Sequence, residues 1–173
     1  MGRTLLLTGR PGVGKTTVIK AVAEALGECV GGFYTEEIRG PGGRKGFRMV
    51  TLDGQKTVMA HVNLRGGGRP RVSRYGVDVE AIDRVGVTAL RRAMTDCQVI
   101  IVDEIGKMEL FSGQFRDVVL QAVSGPRPVV ATVMSKPNPW VDALKVLPQV
   151  EVWGVTMGNR DEMAERVVEW LKR

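Results

Sequence analysis

The run Gly9-Arg10-Pro11-Gly12-Val13-Gly14-Lys15-Thr16 constrains this chain more than any other stretch, because it fits the pattern G-x-x-x-x-G-K-[ST]. Each fixed position has a mechanical task. Gly9, Gly12 and Gly14 let the backbone turn tightly and aim successive N–H groups at a polyphosphate. Lys15 can extend its ammonium over the β- and γ-phosphates, and the Thr16 hydroxyl can ligate Mg²⁺. A helix that starts here adds the positive end of its dipole to the same anion site. Arg10, Pro11, Val13 and Thr17 fall within the expected cradle, which the backbone of residues 10–17 forms.

The flanks decide whether such a pattern is a phosphate loop or only a glycine-rich turn. Thr4-Leu5-Leu6-Leu7-Thr8 precedes it and reads as a buried strand. An amphipathic helix over 16–26 follows, with Val18, Val22, Ala25 and Leu26 on one face. Strand, glycine loop and helix in that order are what phosphate binding requires. The chain is therefore read as binding a nucleoside polyphosphate.

Val99-Ile100-Ile101-Val102-Asp103-Glu104-Ile105-Gly106 supplies the second half of the site. Four β-branched residues ending in aspartate read as a strand buried on both faces, of the Walker B kind. Asp103 emerges at its carboxyl end, the edge where open α/β sheets bind ligands. From there it can hold Mg²⁺ through water together with Thr16. Glu104 can accept a hydrogen bond from a water in line with the γ-phosphorus and help take its proton; the alternative is that it caps the following turn. Lys107 can reach a phosphate or stand exposed. Residues 128–133 are another buried strand, with Ser135 and Lys136 beyond its end placed to sense the γ-phosphate. Arg160 can stack its guanidinium plane on the base, or its segment can simply start the last helix.

Between these stretches, residues 29–60 read as short strands separated by Gly40-Pro41-Gly42-Gly43 and Asp53-Gly54, which are antiparallel hairpin signals. This meander should add antiparallel strands to one edge of a mainly parallel sheet without forming a second domain. Residues 64–75 are glycine-rich and basic, which allows three readings: a solvated loop, a mobile cover that brings an arginine to the phosphates, or a single-strand nucleic-acid contact with Tyr75 as a stacking platform. His61, the only histidine, stands without metal-ligand company. Asp78 can cap a helix over 79–94, buried along Ile82, Val85, Ala89 and Leu90. Ser112 can cap another to about residue 123, and Asn138-Pro139 opens a short one. A strand over 150–155 and a helix over 161–172 follow.

At 173 residues, 43% hydrophobic and 25% charged, the chain suits one soluble globular domain. No apolar run approaches the roughly 20 residues of a membrane span. A core strand begins within a few residues of Met1, so a signal peptide is not expected; the expectation is a cytoplasmic monomer with no membrane partner. Cys29 and Cys97 lack zinc or redox spacing and each sits at the start of a predicted strand, so both are expected to be buried, reduced thiols. The net charge of +6 suits an anionic partner, which a triphosphate and a nucleic acid both are.

With these stretches placed, the sequence resembles the thermophile nucleoside-triphosphatases, whose animal relatives are called cancer-related nucleoside-triphosphatases. The resemblance covers essentially the whole chain. It rests on residues 9–17, on Gly32-Phe33-Tyr34-Thr35-Glu36-Glu37-Ile38-Arg39, on Tyr75-Gly76-Val77-Asp78, on Val102-Asp103-Glu104-Ile105-Gly106-Lys107-Met108-Glu109 and on Asn159-Arg160-Asp161. The second and fourth are far more specific than the phosphate loop alone. The resemblance implies a P-loop, RecA-like sheet flanked by helices, with extra strands. It also implies slow, Mg²⁺-dependent hydrolysis of ATP, GTP, CTP and UTP to NDP and phosphate. Glu36 and Glu37 carry over as motif residues without a role. On this reading residues 9–17 bind the phosphates, Thr16 and Asp103 the Mg²⁺, and Glu104 activates water, with Lys107 and Arg160 as further nucleotide contacts. Two other activities fit the same residues: a small-molecule or nucleotide kinase, which must exclude water and so makes no use of Glu104 as a water base, and a nucleic-acid-stimulated ATPase whose polymer binding weakens with salt.

Overall fold

Three consecutive leucines in a strand are satisfied only inside a sheet covered on both faces. In the computed structural model, which describes residues 1–173, these leucines are the centre of β1 (Thr4–Thr8) and are fully buried. The chain continues through α1 (Lys15–Leu26), β2 (Val30–Gly40), β3 (Gly43–Thr51), β4 (Lys56–His61), β5 (Arg71–Val72) and β6 (Tyr75–Val77). A long helix follows as α2 (Val79–Ala81), a wider-pitched stretch (Ile82–Val87) and α3 (Thr88–Asp96). Then come β7 (Val99–Ile105), α4 (Gly113–Ser124), β8 (Val129–Val133), α5 (Pro139–Lys145), β9 (Val150–Gly154) and α6 (Arg160–Lys172).

One nine-stranded sheet orders them β5-β6-β4-β3-β2-β7-β8-β1-β9. β2, β7, β8, β1 and β9 run parallel, so β8 separates the strand that enters the phosphate loop from the strand that carries Asp103. Alternate residues divide between two cores. Leu6, Ile100 and Val102 face Leu90 of α3 and Phe115 and Val119 of α4. Leu5, Leu7 and Ile101 face Val18, Ile19 and Val22 of α1 and Val167 of α6. The buried stripe of α1 thus runs through 15, 18, 19 and 22, an i, i+3, i+4, i+7 pattern. Val18 and Val22 lie in it as expected and Leu26 packs half-buried against the same core, but Ala25 is exposed.

β2 is long because it serves two arrangements. Residues 30–33 pair in parallel with β7, and residues 33–40 pair antiparallel with β3. β3, β4, β6 and β5 continue antiparallel to the sheet's edge, so the expected meander is present and runs past residue 60 to Val77. Gly32 lies where β2 presses on β7: its φ is +114°, and a Cβ there would stand 1.9 Å from the Ile101 carbonyl oxygen. Gly32→Ala is expected to cost about 3–5 kcal/mol, from collision with fixed backbone plus a left-handed conformation. Urea unfolding checks this, and a loss under about 1 kcal/mol, the ordinary effect of a point mutation, would contradict the close approach.

The caps fall where the sequence places them. Asp78 accepts from the Ala81 N–H at 3.0 Å and Ser112 from the Phe115 N–H at 2.9 Å. Three expectations are corrected. The helix after Asp78 runs on to Asp96 and widens at Ile82–Val87. There Gly86 packs so closely on Met49 that a Cβ would lie 2.8 Å from the methionine Cε. Cys29 is exposed and Cys97 half-buried, because they stand on turns one and two residues ahead of β2 and β7 instead of inside them. Tyr75 is buried in β6 against Phe47, ring centroids 5.3 Å apart, so it offers no stacking platform to a nucleic acid. No helix is long and apolar enough to cross a membrane.

Candidate active site

β1 delivers the chain to the phosphate loop at the carboxyl edge of the parallel strands. Gly12 and Gly14 have φ of +80° and +112°, which glycine adopts without a Cβ penalty. Gly14 is the N-cap of α1; no side chain caps that end and no acid occupies its first turn. The first-turn N–H groups have no carbonyl within the helix to meet, and Gly14, Lys15, Thr16 and Thr17 all line a cleft. Val13 sends its side chain into the core beneath and so pins the loop. Arg160 braces it from outside the cleft, donating to the Val13 carbonyl at 3.3 Å. Arg10 is exposed, while Pro11 lines the cleft and Gly9 lends its carbonyl to Lys15.

Lys15 Nζ lies 2.6 Å from the Gly9 carbonyl oxygen and 4.0 Å from Glu104 Oε2. Asp103 is only 1% exposed, and its oxygens are fully engaged. Oδ2 accepts from Thr16 Oγ1 at 2.8 Å and from the Thr35 N–H at 3.3 Å, and Oδ1 accepts from Thr132 Oγ1 at 2.6 Å. Burial pushes the Asp103 carboxyl above its usual range, opposed by the Thr132 and Thr16 hydroxyls. Burial also raises Glu104, with the Lys15 charge holding it down and Asp103 pushing it up. A carboxylate with increased proton affinity, set beside the phosphate loop, suits a general base.

These groups share a cavity of ≈ 690 Å³. Lys107, exposed on the turn after β7, lines it; Ser135 and Lys136, beyond the end of β8 at Val133, do not, and the fully buried Thr132 of that strand acts from behind the wall, on Asp103. From residues 64–75 the cavity receives Val72 and no arginine. Arg71 and Arg74 are turned instead to the backbone carbonyls of Leu64, Arg74 and Arg44. The arginine at the cavity is Arg44 of β3, paired with Glu37, which also meets Arg39 at 2.7 Å. Glu36 meets Lys20 at 3.5 Å. The two motif glutamates are therefore each opposite a cation at the cleft wall.

Arg44 and Glu109 in the cavity wall, and Thr132 behind Asp103, are groups that sequence reasoning missed. A threonine among valines is ordinary strand composition, and nothing marks Arg44 among its basic neighbours. Glu109 stands in the motif after β7, yet its burial is visible only in the structure. It is 4% exposed, Oε2 accepts from the Gly106 N–H at 3.2 Å, and Glu104 and Glu109 flank the same Gly106 Cα. Burial, and secondarily the Glu104 charge, push its carboxyl well above the usual range. The folded chain thus holds a proton that the unfolded chain releases above about pH 4.3. Stability is complete below that point and is lost as pH climbs toward the folded value. Glutamine cannot ionise and can still accept from Gly106. Glu109→Gln is expected to raise Tm at pH 8 by about 3 °C, the shift of roughly 1 kcal/mol in a domain this size, with no gain at pH 4. Equal Tm values at pH 8 would contradict a buried proton.

Thr16 and Asp103 bring together the oxygen donors that a hard divalent cation takes. No group of three or more His, Cys, Asp or Glu could hold an ion unaided. That combination fits Mg²⁺, which keeps several waters and binds through one or two carboxylates plus substrate phosphates.

A glycine loop opening a helix, facing an aspartate–glutamate pair across parallel strands, defines an α/β protein built to hold a phosphorylated ligand. Comparison with known proteins gives the family: one described as NTPase matches residues 4–168, and the chain belongs to it. The nucleoside-triphosphatase THEP1 of Thermotoga sp. (strain RQ2) is 40% identical over 168 residues, 97% of this chain and 95% of that protein. The crystal structure of THEP1 from the hyperthermophile Aquifex aeolicus is 39% identical with a TM-score of 0.88, over 98% of this chain and 99% of that one. The solution structure of a human cancer-related nucleoside triphosphatase is 38% identical with a TM-score of 0.84, over 99% and 98%.

Proposed function

We propose that this chain hydrolyses nucleoside 5′-triphosphates to NDP and phosphate with Mg²⁺ as cofactor and little preference among bases, on a RecA-like P-loop sheet. The observation that carries the reading is Glu104, a half-buried carboxylate with raised proton affinity, 4.0 Å from the phosphate-loop lysine. The uncapped start of α1 and the Lys15 ammonium bind the β- and γ-phosphates. Thr16 and Asp103 would hold Mg²⁺, which would supply positive charge to the phosphate oxygens. Thr132 and Thr35 fix the Asp103 carboxylate, and so the direction in which it presents. Glu104 orients a water in line with the γ-phosphorus and takes its proton. Positioning and charge neutralisation carry most of the acceleration. Arg160, held against the phosphate loop by its bond to the Val13 carbonyl, is the side chain that would stack on the base, a contact that reads no base edge.

Phosphate release from ATP, GTP, CTP and UTP, each with Mg²⁺ and with EDTA, tests this. All four are hydrolysed with Mg²⁺ and none with EDTA. Hydrolysis of a single nucleotide would overturn the breadth, and undiminished release in EDTA would overturn the cofactor.

A further inference from the structure

The cavity is lined by more than phosphate-binding groups. Its phosphate end is the loop, Lys15, Thr16, Asp103 and Glu104. Its far end is walled by Phe47 of β3, Met59 of β4, Val72 of β5 and Met108 of the turn after β7, with Arg44 and Glu37 at the rim. The apolar side chains of the lining are thus concentrated on the antiparallel meander and the facing turn. Neither phosphate nor water gains from an apolar wall, and the total of ≈ 690 Å³ is within the roughly 300–1,000 Å³ typical of small-molecule sites.

Glu104 stands at the junction. On one side it approaches Lys15 at 4.0 Å; on the other it packs against Gly106, in the turn that carries Met108 to the far wall. In-line displacement requires the nucleophile to arrive opposite the bridging oxygen to the β-phosphate, and a carboxylate at this junction can receive a proton from whatever arrives there. Arg44, paired through Nη2 with Glu37 and set over the Phe47 ring at 5.3 Å, gives this end of the cleft a polar rim.

We propose that the far half of the cleft is an acceptor subsite, which takes a small alcohol with a ring-sized apolar body and directs its hydroxyl to the γ-phosphorus beside Glu104. This rests on the phosphate-site reading above and goes beyond it. The acceptor oxygen forms a bond to the γ-phosphorus while the bond from that phosphorus to the β–γ bridging oxygen breaks. The hydroxyl proton goes to Glu104, and the products are a phosphate monoester and NDP. Hydrolysis is the same displacement with water in the acceptor's place. Phe47 offers the part of its ring that Arg44 and Tyr75 leave open, Met59 and Met108 adapt to the body's shape, and Arg44 with Glu37 meets its polar substituents.

The test uses the full chain, Mg²⁺ and [γ-³²P]ATP, with benzyl alcohol, 3-pyridinemethanol or uridine at millimolar concentration as the acceptor probe. Labelled monoester from at least one probe, with phosphate release reduced correspondingly, supports the subsite. The ratio of ester to phosphate should fall at least tenfold in Phe47→Ala. Val72→Glu, at the two-residue edge strand, should do the same and provides the reading if loss of the Phe47–Tyr75 contact unfolds the first variant. Because the readout is a ratio, a general loss of activity does not imitate it. Labelled phosphate as the sole product with all three probes overturns the acceptor subsite and leaves the hydrolase reading standing. Ester formation unchanged in both variants also overturns it, and neither product from the wild type overturns both.

Discussion

Lys15→Ala is expected to lower kcat/KM for NTP hydrolysis by about 10²–10³-fold, the loss that follows removal of one preorganised charge from a transition state, and to weaken nucleotide binding as well. The ammonium is buried, tethered to the Gly9 carbonyl at 2.6 Å and 4.0 Å from Glu104. It is therefore held in place before any phosphate arrives, which is the condition under which a charge contributes most. Its removal has a second consequence. Lys15 is the cation that holds down the proton affinity of Glu104, so its loss also raises that affinity. Steady-state phosphate release with a fluorescence titration of nucleotide separates the two effects. Binding and turnover both within about threefold of wild type, well short of that loss, would remove Lys15 from the site.

Glu104→Gln is expected to behave differently. The amide keeps the shape and can still accept one hydrogen bond, but it cannot take a proton. A lost general base costs about 10²–10⁴ in rate, so kcat should fall in that range. Binding should persist or tighten, because the substitution removes the anion that competes with phosphate for Lys15. A structural role, in which Glu104 only shapes the turn at Gly106, predicts instead a shift in Tm with kcat nearly unchanged. Multiple-turnover phosphate release, nucleotide affinity and Tm on one preparation distinguish the two.

What the sequence made legible follows from where each constraint resides. The phosphate loop and the β7 strand are local patterns whose chemistry dictates residue type at fixed spacing, and both stand where expected with Thr16 and Asp103 joined at 2.8 Å. The meander was legible because its turns carry glycine, proline and aspartate. Its purpose was not: Phe47, Met59 and Val72 come from three strands, and only their register sets them on one cavity wall. Thr132 was hidden for a related reason. Its partner Asp103 is 29 residues away, on the adjacent strand β7. Ser135 and Lys136 drew attention as polar residues at a strand end, yet the buried hydroxyl inside the strand is the one in contact. Of the readings left open for 64–75, the solvated loop agrees with the structure: Arg71 bonds carbonyls of its own segment and Arg74 that of Arg44, while Arg44, from a hairpin strand, is the arginine that reaches the cleft.

The central claim is that water, positioned by Glu104, attacks the γ-phosphorus. Hydrolysis of ATP in ¹⁸O-enriched water, with mass analysis of both products, tests it most directly. The account predicts one solvent oxygen in each released phosphate, none in ADP, and the same labelling at a much lower rate in Glu104→Gln. Solvent oxygen in ADP would place the attack at the β-phosphorus and contradict the account.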